Sequence, residues 1–327
     1  MKRIFFVYNP RSSRHAEVEQ AVLAPARNLK GYVVGKYEVK PTTIEDNIAT
    51  FAKLLKDGDL VISAGGDATG VIAINGILKS KKDVTFGALP YGNFNDLART
   101  LGTMKYEDVF GIGSHGRVAE LGGPPWSFSD MGENARTGPV QRKLYPLEII
   151  IDGQLWRYAT CYVTIGMTAS AVYIYDQPKM RKKLKTHFGR SISSYTMLAS
   201  WYFKHRLQKQ FLPNFSLNGV SQSSKTSDYI AINGRSMARV MKGGADFQNP
   251  TTFRHETGRL TNFFRLASFM LKSIFHRVPS TETTGDILEF TTPTTIALQA
   301  EGEHITLKNV KKIEIKKAPT YLKVITH

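Results

Sequence analysis

The sequence of 327 residues predicts an α/β domain followed by a mainly β domain. Three observations predict it. Short apolar runs alternate with segments of helical apolar spacing through the first third. After roughly residue 120, β-branched runs separated by turn residues take over. Between the third run and the helical segment behind it lies "SAGGDATG" (63–70), a glycine-rich junction of strand and helix.

In chain order, "IFFVY" (4–8), "YVVGKYEV" (32–39), "LVISA" (60–64) and "TFGALP" (85–90) read as strands. Between them, "HAEVEQAVLAPARNL", "TIEDNIATFAKLLKDG" and "ATGVIAINGILKS" read as helices. In the second of these, Ile44, Ile48, Phe51, Leu54 and Leu55 fall on one face. Such alternation implies a parallel sheet with helices on both sides, and ligands bound beyond the carboxyl ends of its strands. Asn9-Pro10, the glycine junction and "PYGNFNDLART" (90–100) all stand at such ends.

Gly65 and Gly66 would let backbone N–H groups approach a ligand, and a helix N-terminus behind them carries partial positive charge. That suits an anion, phosphate above all. Asp67 would repel a phosphate unless a cation lies between them or a hydroxyl proton must be removed, and both conditions belong to phosphoryl transfer. Taken alone, these residues favour a plain strand-to-helix turn with Asp67 or Thr69 as N-cap.

The second domain opens after "GGPPWSFSDMGENARTGP" (122–139), which reads as a linker or surface loop. In "YPLEIIIDGQLWRYATCYVTIG", Asp152-Gly153 between two strand-like runs signals a hairpin. From Asp286 to Thr326 the chain reads as strand after strand. Helical stretches at 191–210 and 260–276 interrupt this half. The latter carries Phe263, Phe264, Phe269, Met270, Leu271, Ile274 and Phe275, read as core or as a lipid-entry wall.

Composition narrows the classes. Hydrophobic content of 42% with 22% charged residues fits a globular protein, and the single Cys161 excludes an internal disulfide framework or a cysteine-rich metal site. No apolar run is long enough to span a bilayer, and the N-terminal run is too short for a signal-peptide core, so a reducing, cytoplasmic location is expected. A net charge of +17 favours anionic partners. From Lys179 to Lys209 there is no acidic residue, and Trp201, Tyr202 and Phe203 lie among the cations, as in an interfacial segment; a solvated basic face over a core helix is an equal account. No nucleic-acid-binding module is recognisable, so no nucleic-acid partner is expected.

Six segments in order resemble the diacylglycerol kinase catalytic superfamily, which includes bacterial diacylglycerol kinases, sphingosine and ceramide kinases and, more distantly, NAD kinases. "VYNPRSSR" is similar to its Asn-Pro-x-Ser-Gly, "TTIEDNIAT" to its Thr-Glu and following helix, and "AGGDATG" to its Gly-Gly-Asp-Gly-Thr. "GALPYGNFNDLARTLG" is similar to Pro-x-Gly-Thr-x-Asn-Asp-x-Ala-Arg, "GRVAELG" to Arg-x-x-Asp-x-Gly, and "LQAEGEHI" to the late Asp-Gly-Glu.

The resemblance implies a Rossmann-like ATP-binding domain of the NAD kinase and diacylglycerol kinase type over 1–122, to which a tail of about 312–327 returns. A β-sandwich-like lipid-substrate domain spans 123–311, with the active cleft between the two. It implies an ATP-dependent lipid kinase using Mg²⁺, peripheral on anionic membrane, with diacylglycerol, ceramide or a sphingoid-like lipid as acceptor; a homodimer is compatible with it. Asn9, Ser12, Arg14, Thr43, Gly65, Gly66, Thr69, Asn93, Asn95 and Asp96 would bind the nucleotide. Asp67, Glu301 and Glu303 would be catalytic, and Asp67, Asp96, Glu120 and Glu303 would hold metal. On a strand, Glu301 and Glu303 would point to the same face.

The chain departs from the family pattern in several places. Ala68 replaces a motif glycine, Glu120 and Glu301 replace aspartates, Asn93-Phe94 replaces Thr-Gly, and "RHETGRL" (254–260) replaces an Asp-Asp-Gly segment. His255-Glu256 does not open a zinc-protease helix, because position 259 is Arg. The alternatives are a catalytically impaired lipid- or nucleotide-binding member of the family, and a soluble small-molecule kinase of the NAD kinase type.

Overall fold

The computed structural model describes residues 2–12, 14–27, 29, 31–92, 95–103, 109, 140–170, 212–224, 226–237, 241–258, 264–265, 268, 271–272 and 280–326. The chain divides into two compact units, Met1–Tyr145 with Pro319–His327, and Pro146–Ala318.

In the first unit β1 (Lys2–Tyr8), β2 (Tyr32–Glu38), β3 (Leu60–Gly65) and β4 (Thr85–Pro90) pair in parallel. Two strands join from later in the chain, β5 (Val140–Leu144) and β18 (Leu322–Thr326), giving the order β2-β1-β3-β4-β18-β5. β18 runs parallel to β4 and antiparallel to β5.

Alternation along β1 sends Ile4, Phe6 and Tyr8 to one face, where they meet Val18, Val22, Leu23 and Ala26. These four belong to a helical segment made of α1 (His15–Val18), a π-helical turn (Glu19–Leu23) and α2 (Ala24–Ala26). Phe5 points the other way and meets Phe51 of α3 (Ile44–Ala52) edge-on, with ring centroids 6.3 Å apart. Helices therefore cover both faces, as the alternating sequence requires.

α3 starts where the Thr43 hydroxyl accepts the Asp46 N–H at 3.1 Å, with Glu45 and Asp46 favoured in the positive first turn. It ends at Ala52. Leu54, expected on the buried helical face, is consequently exposed, whereas Leu55 turns back into the core. α4 (Asp67–Ser80) lies against α3, with Gly76 packed on Phe51; a methyl group there would stand 2.7 Å from the ring.

The second unit is built on an antiparallel sheet. β6 (Leu147–Ile151) and β7 (Gln154–Ala159) form the hairpin signalled by Asp152-Gly153, both with positive φ, 48° and 83°. β8 (Tyr162–Gly166), β9 (Phe215–Leu217), β10 (Val220–Ser221) and β11 (Asp228–Ile232) follow, and β12 (Ser236–Met237) pairs separately with β13 (Met241–Lys242). β14 (Phe253–Gly258), β15 (Thr281–Thr283), β16 (Gly285–Ala300) and β17 (Glu303–Lys317) complete it. The main path runs β15-β14-β11-β8-β16-β17-β6-β7, with β9 also paired to β16.

Pro293 has no N–H to donate, and the β16–β17 register shifts between Glu289 and Thr294 to accommodate it. Ile149, Val163, Ile165, Tyr229, Ala231, Leu298 and Ile313 form the core on one face. Within it lies the fully buried Asp286, whose carboxylate accepts from Tyr229 Oη at 2.7 Å and Asn218 Nδ2 at 2.9 Å and stands 2.8 Å from His255 Nδ1. Burial pushes the Asp286 pKa up, but the hydrogen bonds from His255, Tyr229 and Asn218 together outweigh it and hold it below the usual carboxylate value.

Among the described residues no helix is long and apolar enough to cross a membrane. The expected linker at 122–139 and helix at 191–210 lie outside them, as does the basic segment 179–209. Of the expected helix at 260–276, positions 264, 265, 268, 271 and 272 are described, and all five are helical.

Candidate active site

The first unit's predicted residues, where described, lie at or just beyond the carboxyl ends of β1 to β4. Gly65 closes β3, and Gly66 is extended (φ −90°, ψ −174°) before α4 begins. The Tyr91 N–H donates to the Gly65 carbonyl at 3.1 Å, which brings the loop after β4 alongside. There Gly66 and Gly92 face each other: a Cβ on Gly92 would stand 2.1 Å from Gly66 Cα, and one on Gly66 would stand 3.1 Å from Gly92 Cα. Two backbones meet this closely only without side chains. A Cβ on Gly65 would likewise collide with the buried Thr69, 2.5 Å from its Oγ1.

Asp67 fastens this pair of loops. Its Oδ2 accepts the Asn95 N–H at 3.0 Å and its Oδ1 the Leu97 N–H at 3.3 Å, so it caps α5 (Asp96–Leu101) from a different element. Asn95 takes the left-handed conformation (φ 58°), and its side-chain amide both accepts the Gly92 N–H at 2.7 Å and donates to the Gly92 carbonyl at 3.0 Å. Asp96, first in α5, is buried. Ala68 lies within α4 and is not among the residues of positive φ, so its extra methyl group brings no backbone strain.

The loop after β1 is tied in by Arg14. Its Nη1 donates to the Pro90 carbonyl at 2.9 Å, its guanidinium lies 5.3 Å from the Tyr91 ring centre, and Nε donates to the Glu17 carboxylate at 2.9 Å. That hydrogen bond lowers the Glu17 pKa against the opposing effect of burial. Asn9 Oδ1 accepts the Arg11 N–H at 3.0 Å and Ser12 Oγ the Arg14 N–H at 3.3 Å, so both shape the loop. Thr43 serves as the α3 cap, and its loop joins the others through Arg11, which donates to the Lys40 carbonyl at 3.1 Å. Asn93 and Glu120 lie outside the described residues.

In the second unit, Glu301 and Glu303 do not share a strand face. Ala300 pairs with Glu303, which leaves Glu301 and Gly302 as the two central residues of a tight turn, with φ of 52° and 85°. Nor is this turn an ordinary surface one. Glu301 is only 2% exposed, and its carboxylate accepts the Thr160 N–H, the Thr160 hydroxyl and the Cys161 N–H. The left-handed turn directs the side chain onto the segment joining β7 to β8. Glu303 begins β17 and is half-buried.

Sequence reasoning missed Tyr91, Gly92 and Arg11 in the first unit and Thr160 in the second. Gly92 had a signal in "PYG", at the glycine of the family's Pro-x-Gly. Thr160, some 141 positions from Glu301, had none. Among the described residues no group of three or more His, Cys, Asp or Glu side chains could hold a metal ion. The donors expected for Mg²⁺ divide between the units, Asp67 and Asp96 in the first and Glu303 in the second.

With this geometry in view, the first unit can be compared with known proteins. Residues 3–113 match the model of the diacylglycerol kinase catalytic domain. This segment, about a third of the chain, is similar to that family. It contains every loop described above in the first unit. A diacylglycerol kinase of Bacillus subtilis (strain 168) is 36% identical over 113 residues, a match spanning 33% of this chain and 36% of that protein. The chain thus matches only about a third of that relative's length. A crystal structure of a diacylglycerol kinase from Bacillus anthracis str. Sterne covers 100% of this chain at 97% of its own length, with a TM-score of 0.60 and 12% identity. A second structure from that organism, assigned provisionally to the same enzyme class, covers the same shares with a TM-score of 0.64 and 14% identity. Both likenesses establish the α/β unit followed by a mainly β unit.

Proposed function

We propose that this protein is a lipid kinase that transfers the γ-phosphoryl group of ATP to a lipid hydroxyl such as that of diacylglycerol, ceramide or a sphingoid-like base. The observation that carries the reading is the Gly66–Gly92 apposition, clasped by Asp67 through Asn95 and Leu97, within a segment similar to the diacylglycerol kinase catalytic family. Side-chain-free backbone at the head of a 14-residue helix suits a polyphosphate, since N–H groups and the helix dipole both favour negative charge there.

The first unit's loops suit a nucleotide, and carboxylates of the kind that binds Mg²⁺ stand in each unit. Asp96 and Glu303, with Glu120, are the carboxylates suited to Mg²⁺, which would offset phosphate charge when bound. Asp67 positions the phosphate loops. Glu301 is the candidate base for the acceptor hydroxyl, and its bonds to Thr160 and Cys161 would fix its orientation. The enzyme would work at the cytoplasmic face of an anionic membrane, as its charge of +17 favours.

Incubation with radiolabelled ATP, Mg²⁺ and a lipid extract, followed by thin-layer separation, tests the reading. A labelled lipid supports it. Label found only in water-soluble product overturns it in favour of a small-molecule kinase; no product, with ATP still raising Tm, leaves a nucleotide-binding member of the family.

A further inference from the structure

Glu301 is held by a segment that is itself held. Thr160 and Cys161 join β7 to β8, and their two N–H groups and the Thr160 hydroxyl all donate to one oxygen of the Glu301 carboxylate, Oε1. From the other side the segment meets Asn233, the residue that follows β11. Ile232 pairs with Tyr162, so the next position along β11 lies beside Cys161. The Asn233 N–H donates to the Cys161 carbonyl at 2.7 Å and the Gly234 N–H to the same oxygen at 2.8 Å, while Asn233 Nδ2 donates to the Thr160 carbonyl at 2.9 Å. Asn233 is fully buried.

The Thr160 carbonyl and the Cys161 N–H belong to one peptide group. In a trans peptide they point in opposite directions, so this group carries Asn233 on one side and Glu301 on the other. A hydrogen bond accepted by the carbonyl fixes the tilt of the peptide plane and polarises it, which strengthens its N–H as a donor. We propose that Asn233 is a positioning residue for the proposed phosphoryl transfer, its side-chain amide acting through the Thr160–Cys161 peptide to orient the Glu301 carboxylate towards the acceptor hydroxyl. This role rests on Glu301 being the base of the proposed kinase. Asn218 supplies the contrast, a side-chain amide of the same unit whose bonds go to β16: Nδ2 donates to Asp286 at 2.9 Å and Oδ1 accepts the Ile287 N–H at 2.8 Å. Its work is structural.

Asn233→Ala removes the side-chain amide and leaves both backbone N–H bonds to Cys161 in place. With a short-chain, water-soluble diacylglycerol as acceptor it should lower kcat about ten- to a hundredfold, while KM for ATP stays within about twofold of the parent. Asn233→Asp, of the same shape but presenting oxygen to the Thr160 carbonyl, should lose kcat to a similar extent, and Asn218→Ala should lower Tm with parental kcat. Urea unfolding supplies a readout that needs no catalysis. In a double-mutant cycle, the stability lost to Asn233→Ala should be smaller when residue 301 is already alanine, by a factor of about three or more in the folding constant. Parental kcat in both Asn233 variants, an equal loss of kcat in Asn218→Ala, or additive effects in the cycle overturns the proposal. Coupling in the cycle by a protein that phosphorylates no lipid would uphold Asn233 as the residue that positions Glu301 and refute the kinase reading.

Discussion

Gly66 and Gly92 meet backbone to backbone, so closely that a methyl group on Gly92 would stand 2.1 Å from Gly66 Cα and 2.9 Å from its nitrogen. Neither obstructing atom belongs to a flexible side chain, so only a shift of one loop could relieve the clash. Gly92→Ala should destabilise the protein by about 1–3 kcal/mol and reduce ATP affinity more than Tm alone would suggest. Calorimetric titration with ATP beside thermal unfolding separates the two; a variant with parental ATP affinity would show that this apposition is not part of the nucleotide site.

Asp67 is expected to act through position more than through proton transfer. Asp67→Ala frees the Asn95 and Leu97 N–H groups and should cost about 1–2 kcal/mol of stability. Asp67→Asn keeps one acceptor oxygen and should fall between alanine and the parent in both Tm and ATP affinity. If Asp67→Asn bound ATP as the parent does and lost only kcat, a purely chemical role would be the better account.

Removing the Glu301 side chain would leave the buried amides of Thr160 and Cys161 without their acceptor. Each such loss costs roughly 1–3 kcal/mol, so Glu301→Ala should lower Tm markedly. Glu301→Gln retains a carbonyl oxygen and should lose less stability. As candidate base it should nevertheless lose most of kcat. Equal stability of all three proteins, measured by urea unfolding, would contradict the buried-turn account.

The pH profile offers a fourth check. Asp228 is fully buried, and burial pushes its pKa from 3.8 up to about 7, against hydrogen bonds from the Thr168 hydroxyl and N–H. Between those values the folded protein holds a proton that the unfolded chain has lost, so this group's contribution to stability falls as pH rises from about 4 to about 7, then levels off. Asp286 slopes the opposite way, because its pKa is lowered, and its contribution is lost only as the pH falls below the ordinary carboxylate range. The difference between parent and Asp228→Asn isolates the first group. The variant should gain on the parent across that window and be the more stable at pH 8; a constant difference would mean that Asp228 is ionised throughout.

Much of the first sheet was legible because β1 to β4 each combine a short apolar run with a polar loop at a carboxyl end. The Asp152-Gly153 hairpin was equally legible, since its two positive φ angles demand such residues. Leu54 was misplaced because periodicity does not register where a helix stops. At Asp67 the residue type announced a carboxylate, but whether it faces a ligand or a backbone amide depends on Asn95 and Leu97, 28 and 30 positions away. Local residues left Glu301 open between a strand and a Glu-Gly-Glu surface turn; its burial on Thr160 and Cys161 leaves no trace in local spacing. Family motifs carried the choice of these carboxylates; their hydrogen-bonding needed the fold.

β18, only Leu322–Thr326, lies between β4 and the edge strand β5 in the first sheet. During translation, therefore, the edge of β4 stays bare until some 230 further residues have left the ribosome. An early stop codon anywhere downstream of β4 and ahead of β18 would release a nascent product with that hydrogen-bonding edge open to other polypeptides. Native folding of the first unit is in this way made conditional on synthesis of the β unit that interrupts it.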